Sequence, residues 1–361
     1  MINDQKSKNL LFLKSSFARK GVIENTEDVL EWLKEQNAKV NVNIKRTAFS
    51  QLDQWGKYEA CSCIKHSSGK FFSIDGIEVN TNWGNITSWH QPIINQPEVG
   101  YLGIIVKEFD GVLHFLMQAK IEPGNINYVQ LSPTLQATRS NYLQVHKGKK
   151  PLYLDYFANA RPDQILLDQL QSEQGARFLK KRNRNIIVRV DEEIEVHDNF
   201  IWLTLCQIKK LMKFDNVVNM DTRTVISGIP LGNFTANVVE FLNFIDFENS
   251  RSDIQKEFLI SALTTGKEIN TTEAIITFLT RLKSLYDLDV KQVPLDKMDD
   301  WIFDDKEIYR KDRRFFRVIP VEVEIESREV KKWHQPMVEP AQQGLSAIVC
   351  KVINGVLHVA V

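Results

Sequence analysis

Apolar and polar positions along this chain follow two periods. Behind Thr26, Glu27 and Asp28, the residues Val29, Leu30, Trp32 and Leu33 fall at helical spacing. Thr26 supplies an N-cap and the two acids a first turn that suits the positive end of the helix dipole, so a helix is expected here. Strand patterns follow in "KFFSIDGIEV", "GYLGIIVKEF" and "GVLHFLMQAKIE". Between the last two stands Asp110-Gly111, a dipeptide that accepts the positive φ of a tight hairpin turn. Pro123-Gly124 ends the second arm. Further on, "QILLDQLQSEQG" reads as a helix stopped at Gly175, and "NIIVRV" as another strand. The pattern predicts an α+β fold with helices packed on a mixed sheet.

Much of this pattern is written twice. Trp89, His90, Gln91 and Pro92 recur as Trp333, His334, Gln335 and Pro336, and Gly111–His114 recurs as Gly355–His358, both at an offset of 244. Of the 29 residues from Trp89 to Met117, 11 are identical in the second copy. The hairpin dipeptide changes from Asp110-Gly111 to Asn354-Gly355, which preserves the turn chemistry. At an offset of 246, "FLKSSFARKGVIENTEDVLEWL" lies over "FLISALTTGKEINTTEAIITFL", and Trp55 over Trp301. A duplicated module is the economical reading. It divides the chain into a first module at residues 1–230, a connector at 231–250 and a second module at 251–361. The second copy stops at Val361, where the first continues "QAKIEPG", so it is expected to be truncated at its C-terminus.

Composition narrows the classes. Apolar residues make up 43% of the chain and charged residues 25%, with zero formal charge and a pI near 7.1. No global field draws the chain to nucleic acid or anionic membrane. The basic run Arg177, Lys180, Lys181, Arg182, Arg184 and Arg189 lacks interleaved aromatics beyond Phe178 and reads as a solvated face, with a dimer contact as one use for it. No apolar run approaches the ~18 residues of a membrane span. The N-terminus lacks the apolar stretch of a signal peptide. Cys61, Cys63, Cys206 and Cys350 are too few and scattered for a disulfide framework, which fits a reducing, cytoplasmic setting.

The stretches "WHQPII", "GVLHFLMQAKIEPGN", "QLSPTLQATRSNY", "FLKKRNRNI" and "NMDTRTV" resemble the nucleotide-diphosphate-hexose 2,3-dehydratases of deoxysugar biosynthesis. The resemblance covers essentially the whole chain. It implies tandem Nudix-like domains, usually a homodimer, binding a dTDP-4-keto-6-deoxyhexose and eliminating its 2-hydroxyl. If Gly175 closes a Nudix metal helix, the motif has decayed to "DQLQSEQG". Only Glu173 then survives among the carboxylates, with Ser172 in a former ligand position. That loss would remove most of the oxygen ligands Mg²⁺ needs.

The implied reaction needs a base for the C3 proton, an acid for the leaving hydroxyl and donors for the enolate oxygen. It needs no metal or other cofactor, and no dinucleotide or Walker fingerprint is present. Lys120 and Glu122 face one side of a strand; they are a base/acid pair or a cross-strand ion pair. His90 and Tyr142 are the other acid/base candidates, His146 lying nearby, although His90 also suits a structural corner. For the sugar nucleotide, Thr134, Gln136, Ala137, Thr138, Arg139, Ser140 and Asn141 form one polar stretch. Arg139 suits the pyrophosphate because guanidinium binds phosphate bidentately; the alternative is a capped surface turn. Trp55 and Trp301 offer stacking faces for thymine, or are packing residues. Ser172 is a candidate for a sugar or phosphate oxygen. His114 and His358 read as core histidines. Two rivals to the lyase remain, a Nudix-type nucleoside-diphosphate-sugar hydrolase and a non-catalytic sugar-nucleotide-binding remnant.

Overall fold

The computed structural model describes residues 2–138, 150–230, 253–326 and 330–361. The predicted hairpin is at its centre. Asp110 and Gly111 both take positive φ, 49° and 77°, and join β6 (Gly100–Phe109) to β7 (Val112–Ile121). Asn354 and Gly355 do the same, at 53° and 74°, between β18 (Val349–Ile353) and β19 (Val356–Ala360).

Five strands precede this hairpin: β1 (Val42–Arg46), β2 (Trp55–Tyr58), β3 (Cys63–His66), β4 (Ser73–Thr81) and β5 (Ser88–Asn95). Five follow it: β8 (Val129–Ser132), β9 (Leu135–Ala137), β10 (Ile165–Ser172), β11 (Arg182–Arg189) and β12 (Phe200–Thr204). A seven-stranded sheet runs β10-β11-β6-β7-β12, with β8 added to β7 and β9 to β6. Only β11 and β6 are parallel, so the sheet is mixed as expected. Ile104, Val106, Phe115 and Met117 face the helices Ile2–Phe17, Thr26–Ala38 and Leu205–Leu211, while Ile105 and Leu116 face Phe157 on the short helix Leu154–Ala158. Burial on both faces explains why these strands read as continuous apolar runs. His114 is buried within them. It donates from Nδ1 to Val112 O (2.9 Å) and accepts at Nε2 from Val22 N (3.1 Å), the pattern of a neutral core histidine.

Two expectations are corrected here. Residues 165–172 are a strand rather than a helix, pairing antiparallel with β11, and Gly175 lies in the loop that connects them. The apolar edge of β11 needs a partner, and that pairing overrides the local helical spacing. The "DQLQSEQG" registration on a metal-binding helix falls with it: Asp168 instead holds Arg184 through two hydrogen bonds, of 2.8 and 2.6 Å. Cys61 and Cys63, counted among cysteines too few and scattered for a disulfide framework, form a disulfide at the β2–β3 turn. The first-module helix begins at Thr26 as its first helical residue, with Asn25 in the cap position.

The remaining strands are β13 (Leu288–Val293), β14 (Trp301–Phe303), β15 (Ile308–Arg310), β16 (Phe316–Ile325) and β17 (Lys332–Pro340). They complete two further sheets, β1-β16-β15-β14 with β17 on β16, and β13-β4-β3-β2 with β5 on β4. Each sheet takes one strand from the opposite half of the chain. Val42 pairs with Ile325 through to Arg46 with Val321, and Leu288 pairs with Thr81 through to Gln292 with Ile77. The two registers interconvert by the same offsets that relate the sequence copies. The element order of residues 2–121 recurs over 253–360. Side-chain details recur too. Trp89 Nε1 donates to Gln91 (3.0 Å) and Trp333 Nε1 to Gln335 (2.9 Å), while Ser15 Oγ donates to Leu113 O (2.5 Å) and Ser261 Oγ to Leu357 O (2.7 Å). Among the described residues, no helix is long and apolar enough to cross a membrane.

Candidate functional site

Where β7 leaves the seven-stranded sheet, its alternating polar residues converge with three other elements. Lys120 Nζ lies 3.0 Å from Glu122 Oε1. Gln136, on β9, donates from Nε2 to the same carboxylate oxygen at 2.9 Å, and its backbone carbonyl accepts from Lys120 Nζ at 3.4 Å. The pair expected from strand alternation is thus formed, and Gln136 joins it.

The next layer is Asn219. Its Oδ1 caps the helix Met220–Ser227 by accepting from Thr222 N at 2.8 Å. Its Nδ2 donates to Ser132 Oγ (3.0 Å) and to Gln136 Oε1 (3.3 Å). Only 4% of the residue is exposed, so these groups have no water to replace a lost partner. The Asn219→Ala variant is expected to lose about 2–3 kcal/mol of stability, from one helix cap and from the buried Ser132 and half-buried Gln136 acceptors left short of a donor. Urea unfolding measures this, and a loss under about 0.5 kcal/mol would show that the cap and network are replaceable.

Two residues past the cap stands Asp221. Burial, and then the charge of Glu122, push its carboxyl up from the ordinary range to about 7; Glu173 adds to the shift and Lys120 opposes it. A helix N-terminus favours the ionised form, so desolvation and like charge have outweighed the dipole. Asp221 accepts no hydrogen bond and joins no ion pair among the described residues.

Beside this cluster opens a cavity of about 90 Å³, lined by Ser172, Glu173, Asn183, Asn185, Met220 and Thr224 among others. Asn183 Nδ2 donates to Glu173 Oε1 at 2.6 Å. Asn185 is 1% exposed, and its Oδ1 has no hydrogen-bond partner. A buried, unanswered acceptor in a cavity wall is an open position for a donor from a ligand or an ordered water.

The other residues singled out from sequence lie in different places. Ser172 lines the cavity. Thr134 is buried, with its hydroxyl accepting from Ile105 N (2.9 Å) and donating to Leu116 O, which staples β6 to β7. Ala137 is packed in the core, and Thr138 is half-buried. Arg139, Ser140, Asn141, Tyr142 and His146 lie outside the described residues. Trp301 and Trp55 belong to the apolar cluster between the two five-stranded sheets: Trp301 is 8% exposed against Phe316, and Trp55 packs on Phe72 and His66. His90 is part of that neighbourhood. It lies on β5 rather than at a corner, its Nδ1 accepts from Asp299 N (2.9 Å) and its carbonyl from Trp301 Nε1 (2.7 Å). Its counterpart His334 accepts from Asp53 N in the same way, at 3.2 Å.

Sequence reasoning missed Asp221, Asn183, Asn185 and Asn219 as site residues. A usable signal was present in "NRNIIVR": Asn183 and Asn185 share the face of a strand that otherwise reads as buried. That run was instead taken as solvated, whereas Lys181 is 4% exposed and Arg177 stacks on the Phe316 ring at 3.9 Å. Asp221 carries no such local sign, because its surroundings come from β7, the loop after β10 and the helix cap.

A family described as NDP-hexose 2,3-dehydratase matches residues 26–229 and 272–361. The chain belongs to this family. A dTDP-4-dehydro-6-deoxy-alpha-D-glucopyranose 2,3-dehydratase of Saccharopolyspora spinosa is 44% identical, over 94% of this chain and 68% of its own length. Proteins of the same name from Amycolatopsis orientalis and Streptomyces violaceoruber are each 40% identical over 94% of this chain, and 67% and 72% of their own lengths. Both family matches open at equivalent helix starts, Thr26 and Thr272. A crystal structure of an ADP compounds hydrolase aligns over 56% of this chain and 94% of its own at TM-score 0.27 and 13% identity, too distant to support an inference.

Proposed function

We propose that this chain removes water across C2 and C3 of dTDP-4-dehydro-6-deoxyglucopyranose, the substrate named for its relatives, and that the sugar reacts beside Lys120 and Glu122. The C4 ketone acidifies the C3 proton. Loss of that proton leaves an enolate on O4; the C2–O bond then breaks, a C2=C3 double bond forms, and the hydroxyl departs with a proton as water. The product enol gains a proton at C2, loses one from O3 and becomes a 3,4-diketo-2,6-dideoxy sugar.

The observation that carries the reading is the Lys120 ammonium lying 3.0 Å from Glu122 Oε1 and 3.4 Å from the Gln136 carbonyl, within a chain of this family. The Lys120 ammonium supplies positive charge where negative charge develops on the enolate. Gln136 holds Glu122, and Asn219 holds Gln136, so the donors are set before substrate arrives. Ser172 lines space for a sugar or phosphate oxygen, the open Asn185 oxygen is an acceptor for a sugar hydroxyl, and Arg139 is assigned to the pyrophosphate.

The scaffold is read as two Nudix-like modules of common ancestry, residues 1–230 and 251–361 joined by 231–250, in a cytoplasmic homodimer. Support for the duplication comes from the recurring element order, the reciprocal registers and the paired family matches.

The test is a proton NMR time course of dTDP-4-keto-6-deoxyglucose with the protein in D₂O. Loss of the H2 and H3 signals, with no dTMP released, is expected. Persistence of both signals would refute the reading.

A further inference from the structure

We propose that Asn185 recognises the 3-hydroxyl of the sugar: its open amide oxygen accepts that hydroxyl's hydrogen bond and so selects among hexoses. The inference rests on the dehydratase reading and deepens it by naming the hydroxyl and the group that reads it.

The amide has one orientation open to it. Asn185 Nδ2 donates to the Asn183 backbone carbonyl at 3.2 Å, so a flipped amide would set oxygen against oxygen. Oδ1 is therefore the end without a partner, on a residue 1% exposed in the cavity wall. A buried acceptor left unanswered is costly, so the position suits a ligand that brings a donor.

Strand register sets this oxygen across from the reacting cluster. Gln136 on β9, Leu102 on β6 and Asn185 on β11 are partners in one row of the sheet, and row partners point to the same face. The helix Met220–Ser227 lies over that face, with Met220 and Thr224 lining the cavity beside Leu102 and Asn185. Two strand spacings, about 10 Å, separate the Gln136 and Asn185 backbones. One sugar ring fits between the Lys120–Glu122–Gln136 cluster and the Asn185 oxygen.

The lining selects the kind of group. Among the described residues it has no Lys or Arg to neutralise a phosphate and no aromatic ring to stack on thymine. Sugar hydroxyls remain. In the substrate named for the relatives, C4 is a ketone and C6 carries no oxygen, so the hydroxyls available are O2 and O3. O2 departs as water and needs a donor; an acceptor there would hold back its proton. That leaves O3. C3 carries both O3 and the reacting hydrogen, so fastening O3 also fixes where that hydrogen points.

The experiment is calorimetry with two dTDP-4-keto-6-deoxy sugars that lack the 2-hydroxyl and cannot react, one with the 3-hydroxyl and one without. Wild type is expected to bind the 3-hydroxy ligand about 10- to 100-fold more tightly. In Asn185→Leu the two affinities should agree within about twofold, and the affinity for dTDP alone should stay within about twofold of wild type. Equal binding of both ligands by wild type, a result that needs no variant, would sink the assignment. So would an Asn185→Leu protein that keeps the discrimination, or one that loses as much affinity for dTDP as for the sugar ligand, since the base or phosphate would then occupy the cavity. Wild-type turnover of dTDP-4-keto-6-deoxyglucose is measured separately. An inert enzyme that still discriminates would overturn the dehydratase reading and leave Asn185 as the hydroxyl's acceptor.

Discussion

At pH 8 the Asp221→Asn variant is expected to be more stable than the wild type, by up to about 4 kcal/mol, and the advantage should vanish near pH 4. The folded carboxyl titrates at about 7, against 3.8 for the unconstrained group. Below the unfolded value both states are protonated, and Asp221 contributes no pH dependence. Between the two values the folded state binds the extra proton, so stability falls as pH rises. Above pH 7 the native protein carries a half-buried charge beside Glu122 and Glu173, and the full penalty is in place. Asparagine has the same shape and no charge to lose. Urea unfolding of both proteins at pH 4, 6 and 8 measures the gap. A gap that stays constant or closes with rising pH would contradict the electrostatic account. The charge at Asp221 is thus one the fold tolerates at a cost.

Separating the halves should have an equally large effect. Expressed alone, residues 1–230 lose β13 from the edge of β4, and β1 loses its only described partner, β16. The apolar cluster between the sheets is also divided, with Ile64 and Ile74 on one fragment and Trp301, Ile308, Phe316 and Val318 on the other. Full burial of one large apolar side chain is worth about 1.5–3 kcal/mol, so losing several exceeds the stability of a typical domain. On the second fragment Ile275, Ile276 and Phe278 are already about half exposed. Residues 1–230 alone should therefore lose amide-exchange protection over 42–95 and aggregate. Co-expression with 251–361 should restore protection and give a complex that copurifies. Native protection of 42–95 in the isolated fragment would mean that the exchanged strands add little.

Local chemistry that needs no distant partner was legible in the chain. Asp110-Gly111 and Asn354-Gly355 specify their turns because the positive φ they accept is a property of two residues. The alternation of Lys120 and Glu122 put both on one side of the chain at the end of β7, since the side-chain period of a strand is two. The strand at 165–172 was not legible. Leu166, Leu167 and Leu170 fit a helical stripe, and the exposed backbone of β11, which decided the matter, is contributed by residues further along the chain.

What the sequence determined by itself, then, is the repeat, the hairpins, the α+β class and family membership, all carried by residue types at short or constant spacing. Tertiary structure alone decided that each half completes the other's sheet, and that Trp301 donates to the His90 carbonyl. It also decided that Asp221 sits among Glu122, Glu173 and Lys120. The reason is physical: burial and like-charge proximity belong to the space around a side chain. For Asp221 that space is built by residues 48 to 101 positions away in the chain.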